Sequence, residues 1–360
     1  MRMRLLTALL AALCLCLTGC AVNGGVENQA YALVMGVDRT EDGIALTIRI
    51  PRIGHSAGET NSQSQDSDPY MALSASGATY DEALEALQWV CARELNLSQL
   101  KLLIVSEELA ASEGFHDLAR TIALTRHLYT TAAFAVCEGS AGAFVESLET
   151  ILGTRLSSEI AALFRHYAAH GFIPLGTFAD MVYASDSCYS DPVAILAALG
   201  PEKSPDTGGK QRYLGGAVFK NGRLRQKLDI RETLCLDLIR DRVRTFSWTC
   251  MGQSYPLTGL FRPFHRVSIE GDRVCIVVRV TLASEKELNA EERACLEADI
   301  ARALEAFIVT CQRAGTEPFG FAAKAALRFP DFPAWLAFDW PSRFARASVR
   351  VDVTVNGPPR

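Results

Sequence analysis

The passage TYDEALEALQWVCARELNLSQLKLLIVS, residues 79–106, contains the pattern that decides the fold class. Its first part repeats apolar residues at the spacing of one helix face, at Ala83, Leu87 and Val90. It ends in the apolar run 101–106, which is typical of a strand buried on both faces. A helix that leads directly into a buried strand predicts a protein in which helices cover the faces of a sheet.

The same alternation extends in both directions from this passage. Upstream, residues 32–38 and 43–50 predict two strands joined by a turn at Arg39–Gly43, and Thr79 with Glu82 predicts a capping box that opens the helix. The polar stretch 54–68 has little to bury and predicts an exposed loop. Downstream, the pattern predicts a helix in the 118–128 region, a strand at 131–137, helices at 141–151, 158–170 and 177–183, and a strand at 193–199.

Residues 200–210, GPEKSPDTGGK, predict a linker because they contain two prolines and three glycines and no apolar period. We therefore expect an N-terminal region at 20–199 and a C-terminal domain at 211–360. In the latter, Asn221-Gly222 predicts a type I′ hairpin. Further predicted elements are a helix at 231–241, strands at 257–269 and 273–283, a helix at 290–313 and a half-buried strand at 348–355. The fold class is α+β and multidomain, with mixed or antiparallel sheets flanked by helices.

The first twenty residues predict export. A positively charged start, MRMR, precedes the apolar run 5–17, which at about 20 Å of helix is too short to span a bilayer. The sequence LTGC follows at 17–20 and indicates a bacterial lipobox, so residues 1–19 are the predicted lipoprotein signal peptide and Cys20 the predicted lipidation site. The alternative is a soluble secreted protein in which Cys20 is incidental.

Composition and motifs exclude several classes. With 36 basic and 41 acidic residues the formal charge is −5, and no basic block predicts contact with nucleic acid. Eight cysteines remain after Cys20, none in a CxxC pair, and they act either as small buried apolar residues or as disulfide partners. The motifs HExxH, GxxxxGK and GxGxxG do not occur, and GHSAG at 54–58 lies in the predicted polar loop and not between a strand and a helix, so it predicts no GxSxG nucleophile elbow; no cofactor and no catalytic residue is predicted.

Three residues of one predicted helix could carry metal chemistry. His166 and His170 are four residues apart on one face, and Glu159 lies about two turns earlier. Two solvent-facing or interfacial histidines are the favoured interpretation, because no third close ligand is visible in the sequence.

Five segments together resemble the Ger(x)C family of spore germination lipoproteins, the C subunits of germinant receptors. The order and spacing of these segments carry the resemblance over nearly the full chain. They are LTGC at 17–20, MGVDRTEDG at 35–43 with Asp38, the passage 82–110, LGGAVFKNGRLRQKL at 214–228, and FAAKAALRFPDFPAWLAFDW at 321–340, which precedes the last strand and Gly357.

The resemblance implies a three-part α+β protein that is not an enzyme. It also implies a place on the outer face of the inner spore membrane, held there by the lipid on Cys20. The partners that it implies are a membrane-embedded A subunit and a permease-like B subunit. Two other classes stay open from the residues alone: an extracytoplasmic solute-binding lipoprotein, and a cell-envelope enzyme with an unrecognised site.

Cys20→Ala is expected to leave the precursor without acyl chains, because the cysteine sulfur is the only predicted attachment point. Labelling with an alkyne fatty acid checks this, and Cys16→Ala, which lies outside the LTGC sequence, is the matched control that keeps its label. Equal incorporation into the Cys20→Ala protein and the wild type would contradict the lipobox.

Overall fold

The computed structural model describes residues 28–52, 68–149, 155–201 and 210–358. The predicted signal peptide, Cys20, most of the predicted loop 54–68 and most of the predicted linker 200–210 lie outside these residues. The strands, in chain order, are β1 Gln29–Tyr31, β2 Val34–Thr40, β3 Gly43–Pro51, β4 Tyr70–Gly77, β5 Glu94–Asn96, β6 Leu102–Ser106, β7 Ala133–Glu138, β8 Val193–Leu199, β9 Gln211–Lys220, β10 Arg223–Leu228, β11 Thr245–Cys250, β12 Gln253–Gly259, β13 Phe264–Glu270, β14 Arg273–Ser284 and β15 Ser348–Asn356.

The helices lie between these strands and after β14. In chain order they are α1 Tyr80–Val90, α2 Glu107–Ala111, α3 Phe115–Ala123, α4 Ala141–Glu146, α5 Leu156–Ala169, α6 Phe178–Ser185, α7 Ile230–Ile239, α8 Ala290–Ala314, α9 Phe321–Ala326, α10 Phe332–Ala337 and α11 Trp340–Phe344. Within the described ranges, none of them combines the length and the apolar composition that crossing a bilayer requires.

Strands β2 to β4 and β6 to β10 form one eight-stranded sheet in the order β10-β9-β8-β7-β6-β2-β3-β4. Its middle strands β2, β6, β7 and β8 are parallel, whereas β3 and β4 at one end and β9 and β10 at the other are antiparallel to their neighbours. The short strands β1 and β5 pair in parallel as a separate ribbon.

The middle strands are buried on both faces, as the apolar run of β6 predicts. Leu103 and Val105 join the core under α1, α2, α3 and α6, while Leu102 and Ile104 join the core under α4 and α5. Because successive residues of a strand point to opposite faces, one uninterrupted apolar strand needs a helical layer on each side. The eight-stranded sheet is therefore the middle of three layers.

The second half of the chain is built on a five-stranded sheet. The order is β11-β12-β14-β13, and β15 pairs in parallel with the other edge of β14. Helix α8 begins with a capping box at Asn289 and Glu292 and ends at Gly315, whose φ of 73° is left-handed. Its buried face packs against this sheet through Leu296, Ile300, Leu304 and Ile308. The α+β fold with mixed sheets flanked by helices is thus confirmed.

Several local predictions differ from the structure, and helix α3 ends at Ala123, five residues before the end of the predicted region 118–128. The predicted strand 257–269 is two strands, β12 and β13, and the segment between them breaks the ladder. Strand β11 is an additional strand, joined to β12 by Met251 and Gly252, which both have positive φ angles of 53° and 74°. Helix α4 ends at Glu146, five residues before the predicted end.

The eight-stranded sheet continues across the predicted linker. Strands β8 and β9, on either side of residues 200–210, are antiparallel neighbours. The hairpin predicted at Asn221-Gly222 has the positive φ angles of 51° and 72° that a type I′ turn requires, and it joins β9 to β10 at the edge of this sheet. The division into 20–199 and 211–360 stays a prediction, while the change from one sheet to the other falls after β10.

Asp38 lies in β2, within the predicted strand 32–38, and Glu41 and Asp42 form the turn that follows β2. The Asp38 carboxylate accepts hydrogen bonds from the backbone N–H groups of Ala141 at 2.8 Å and Gly142 at 2.7 Å, and from the Ser140 hydroxyl at 3.1 Å. These are unpaired donors at the start of α4, so Asp38 fixes that helix on the sheet.

Asp38→Ala is expected to lower the free energy of unfolding by about 1–3 kcal/mol, because two partly buried N–H groups lose their acceptor. Urea unfolding followed by circular dichroism measures the change. Asp42→Ala, in the exposed turn of the same hairpin, is the control and is expected to stay within about 0.5 kcal/mol of wild type. Equal effects of the two substitutions would contradict the role given to Asp38.

Candidate functional site

The two sheets meet at a junction where Asp191, just before β8, contacts Glu317, between α8 and α9. The Asp191 N–H donates to the Glu317 carbonyl at 2.9 Å, and the Glu317 N–H donates to Asp191 Oδ2 at 2.6 Å. Lys220, at the end of β9, places its Nζ 3.0 Å from Asp191 Oδ1. Asp191 and Glu317, 126 positions apart, are therefore joined by reciprocal hydrogen bonds, and an ion pair joins Asp191 to Lys220.

The Glu317 side chain turns inward and holds the start of α9. Oε1 accepts the N–H groups of Phe319 and Phe321 at 3.0 Å each, and Oε2 accepts that of Ala322 at 3.2 Å. Burial raises the pKa of Glu317 to about 8, although these hydrogen bonds act in the opposite direction. Burial likewise raises the pKa of Asp191, against the lowering effect of Lys220. The junction therefore contains two carboxyl groups that burial biases toward the protonated form.

A cavity of about 460 Å³ opens beside this pair of carboxyl groups. One wall carries Asp191 and Lys220 from the eight-stranded sheet, and the other carries Trp335 and Trp340 from α10 and α11. Cys188, which is exposed, also lines it and accepts the Trp335 indole N–H at a distance of 3.2 Å. The cavity thus combines charged, thiol and aromatic groups contributed by both halves of the chain.

Trp335 and Trp340 belong to an aromatic cluster at the C-terminal end. Their ring centroids are 5.8 Å apart, Phe329 packs on Trp335 at 5.5 Å, and Phe344 packs on Trp340 at 5.9 Å. The buried Trp340 Nε1 has no hydrogen-bond partner among the described residues. Both tryptophans are buried, so they belong to the core, whereas Phe332 at the start of α10 is 53% exposed.

A second cavity, of about 520 Å³, lies on the other side of the junction between the end of α5, helix α7 and strand β11. His170 and Phe172 line it from the first half, and Ile230 and Leu234 line it from α7. Next to it, α7 buries Asp237, whose two carboxylate oxygens have no partner among the described residues; burial raises its pKa to about 7. This cavity is mainly apolar.

The structure brings His166 and His170 together, with ring centroids 4.5 Å apart and His170 Nδ1 2.8 Å from the His166 carbonyl oxygen. His166 is exposed and His170 is half-buried, while Glu159 lies in the first turn of the same helix. In the described part of the chain, no group of three or more His, Cys, Asp or Glu side chains is placed to hold a metal ion. The predicted lipidation site, Cys20, lies outside the described residues.

Sequence reasoning did not identify the junction residues Asp191 and Lys220. Glu317 lies shortly before the C-terminal segment 321–340, where α9 begins, and no role was predicted for it from the sequence. An acidic residue shortly before a short helix is a weak sign of a cap, and nothing in the sequence pairs it with a residue more than a hundred positions away.

Glu317→Gln is expected to gain stability relative to wild type as the pH rises from about 5 to 8. A carboxyl group with a pKa of about 8 in the folded protein keeps its proton over this range, while in the unfolded chain it loses it above about pH 4.3. Wild-type stability from this group is therefore fully present at low pH and declines through this window, whereas a neutral amide does not titrate.

Urea unfolding at pH 5 and pH 8 measures the free energy of unfolding of Glu317→Gln and of wild type. We expect the difference between the two proteins to change by at least about 1 kcal/mol between these pH values. Glu305→Gln, on an exposed position of α8, is the control. A Glu317→Gln difference that is the same at both pH values would show that the folded carboxyl group ionises normally.

The chain matches two family models. One, described as "Spore germination protein N-terminal domain", covers residues 25–198, and the other, "Spore germination B3/ GerAC like, C-terminal", covers residues 214–356. A curated relative, "Putative spore germination protein YfkR" of Bacillus subtilis (strain 168), is 29% identical over 100 residues. That match covers 27% of this chain and 26% of the relative, so it spans about a quarter of the relative's length.

A solved structure titled "Crystal Structure of the GerBC protein" shares the fold. It superposes with a TM-score of 0.54 and 13% identity, over 90% of this chain and 97% of that chain. The resemblance inferred from the sequence is confirmed by the two family models, which together cover nearly all of the described residues. The chain therefore belongs to the GerAC-like family of spore germination proteins.

Proposed function

We propose that this protein is a non-catalytic, lipid-anchored subunit of a spore germinant receptor and is needed for germination in response to nutrients. It is held by Cys20 on the outer face of the inner spore membrane, and it works with a membrane-embedded A subunit and a permease-like B subunit. The observation that carries the proposal is the match of both halves of the chain to spore germination family models.

The anchor follows from the sequence at 1–20. Each buried methylene contributes about 0.8 kcal/mol, and stable membrane attachment takes two signals where a single myristoyl chain is reversible. The two acyl chains of a diacylglyceryl group on Cys20 meet that requirement. Attachment confines the protein to a thin layer at the bilayer, which raises its effective concentration for membrane partners and lets modest interfaces suffice.

The arrangement of the two halves supports a binding and positioning role. The 20–199 region and the 211–360 domain are joined by a shared sheet and by the buried Asp191–Glu317 contact, so a partner that binds one half is positioned relative to the other. Such a subunit supplies surface to a complex whose membrane-crossing parts belong to other chains.

A solute-binding lipoprotein is the second candidate, and the cavity of about 460 Å³ between the halves is the observation that favours it. The architecture favours the first candidate. A solute-binding protein of the usual kind has two similar lobes with parallel sheets, whereas here an eight-stranded mixed sheet meets a five-stranded, largely antiparallel one.

Deletion of the gene in the spore former is expected to block the response to one class of germinant, leave sporulation intact and lower the amounts of the partner subunits. Loss of optical density after germinant addition measures the response, and immunoblots of spore membranes measure the partners. Complementation with the wild type and with Cys16→Ala restores both, while Cys20→Ala does not.

Two outcomes would contradict the proposal. One is a purified receptor complex that assembles and responds to germinant without this chain. The other is loss of germination in single substitutions of His166, His170 and Glu159 with assembly and protein level unchanged, because that result would place a ligand or metal site in this chain.

A further inference from the structure

Two cysteines that are far apart in sequence meet in the second half of the chain. Cys250 is the last residue of β11, Cys295 lies in the second turn of α8, and their Sγ atoms are 3.3 Å apart. The other six cysteines of the described chain have no second sulfur as a hydrogen-bond partner. A disulfide needs the two sulfur atoms at about 2.05 Å. The two side chains must therefore rotate so that the sulfur atoms approach each other by about 1.3 Å.

A second contact joins the same strand, β11, to the same helix, α8. The Trp248 indole N–H donates to Asp299 Oδ2 at 2.9 Å, and the Arg231 guanidinium lies over the Trp248 ring, 4.6 Å from its centroid. Trp248 precedes Cys250 by two strand residues, about 6.6 Å, and Asp299 follows Cys295 by four helix residues, about 6 Å. The two spacings are similar, so both contacts form in the same alignment of β11 on α8. This alignment keeps the two sulfur atoms next to each other.

We propose that Cys250 and Cys295 form a disulfide that fixes the β11–β12 hairpin on helix α8. The oxidant is an external disulfide, either a small-molecule disulfide or that of a thiol oxidoreductase. The occurrence of the Cys250–Cys295 disulfide in the spore rests on the proposed location outside the cytoplasm, because thiols inside the cytoplasm are kept reduced.

The exchange has two balanced steps. The half-buried Cys295, as a thiolate, attacks the external disulfide, forms a mixed disulfide and releases one thiolate. Cys250 then loses its proton to solvent and attacks the Cys295 sulfur, which forms the internal bond and releases the second thiol. The pair loses two electrons and two protons, and the external disulfide is reduced to two thiols.

Exposure and the pKa of Cys250 agree with this order of attack, because Cys295 is half-buried and Cys250 is buried. Burial raises the pKa of Cys250 to about 11, and the hydrogen bond and charge of Cys295 add to the increase. Once Cys295 carries the mixed disulfide, its contribution to the Cys250 pKa is removed. Cys295 is thus the entry point and Cys250 the resolving thiol.

Peptide mapping tests the bond directly. The full chain is purified reduced, incubated folded with excess oxidised glutathione, alkylated in denaturant and cleaved with trypsin without reduction. We expect the peptide 245–266, which contains Cys250, linked to the peptide 294–302, which contains Cys295. Cys275→Ser, a half-buried cysteine of the same sheet, keeps the linked peptide, while Cys295→Ser abolishes it.

Thermal unfolding supplies a readout that does not depend on mapping. A bond that closes a loop of 44 intervening residues is expected to raise the unfolding midpoint of the oxidised protein by about 5–10 °C. Wild type and Cys275→Ser show the rise, and Cys250→Ser and Cys295→Ser do not. Separately alkylated 245–266 and 294–302 peptides after oxidation, or linkage of either to a different cysteine, would overturn the proposal.

Spores quenched in acid and mapped in the same way test the bond in place. A linked pair supports the proposal, and a fully reduced pair overturns it for the spore. Fatty-acid labelling of Cys20 in the same preparation separates the two proposals. A labelled protein with a reduced cysteine pair would support the anchor and contradict only the disulfide.

Discussion

The rest of the structure depends on burying the middle strands of the eight-stranded sheet on both faces. Strands β6 and β7 and the first part of β2, residues 34–37, carry almost only apolar side chains, and leaving either face in water would cost about 1.5–3 kcal/mol for each large side chain. Helices α1, α3 and α6 cover one face, and α4 and α5 cover the other. Gly36 allows α4 to approach closely, since a Cβ there would lie 2.9 Å from the Ala141 carbonyl oxygen.

The second half is attached to this layer by contacts of a different kind. At the junction, the reciprocal hydrogen bonds of Asp191 and Glu317 join two buried residues, so removing one partner leaves a buried polar group of the other without its hydrogen bond. Val193 and Val218 of the large sheet also pack in the core of the second half. The junction is thus both polar and apolar, and each component limits movement of one half against the other.

This construction accords with a family whose members act in spore germination. The two cavities at the junction are lined by residues from both halves, so their shapes depend on how the halves are joined. The β11–β12 hairpin lines the cavity of about 520 Å³, so its attachment to α8 affects the shape of that cavity. A change in pH would act on this junction through Glu317, whose pKa burial raises to about 8, and a change in thiol oxidation would act through the β11–β12 hairpin.

Elements whose signals are local could be predicted from the amino-acid sequence. Asn221-Gly222 specifies its hairpin, Asn289 and Gly315 mark the ends of α8 almost to the residue, and the alternation in 348–355 identifies β15. These signals work because caps, turns and periodicity depend on residues within a few positions of one another. The order of segments also identified the family.

Only the tertiary structure decided which distant residues meet. No local pattern tells that β8 and β9 pair across residues 200–210, that Asp38 binds the start of α4, or that β15 lies parallel to β14. The same holds for Asp191 with Glu317 and for Cys250 with Cys295, which are 126 and 45 residues apart. The physical reason is that such contacts are selected by the packing of whole layers, where burial of the apolar faces fixes the elements first and the polar partners are then set by the positions that remain.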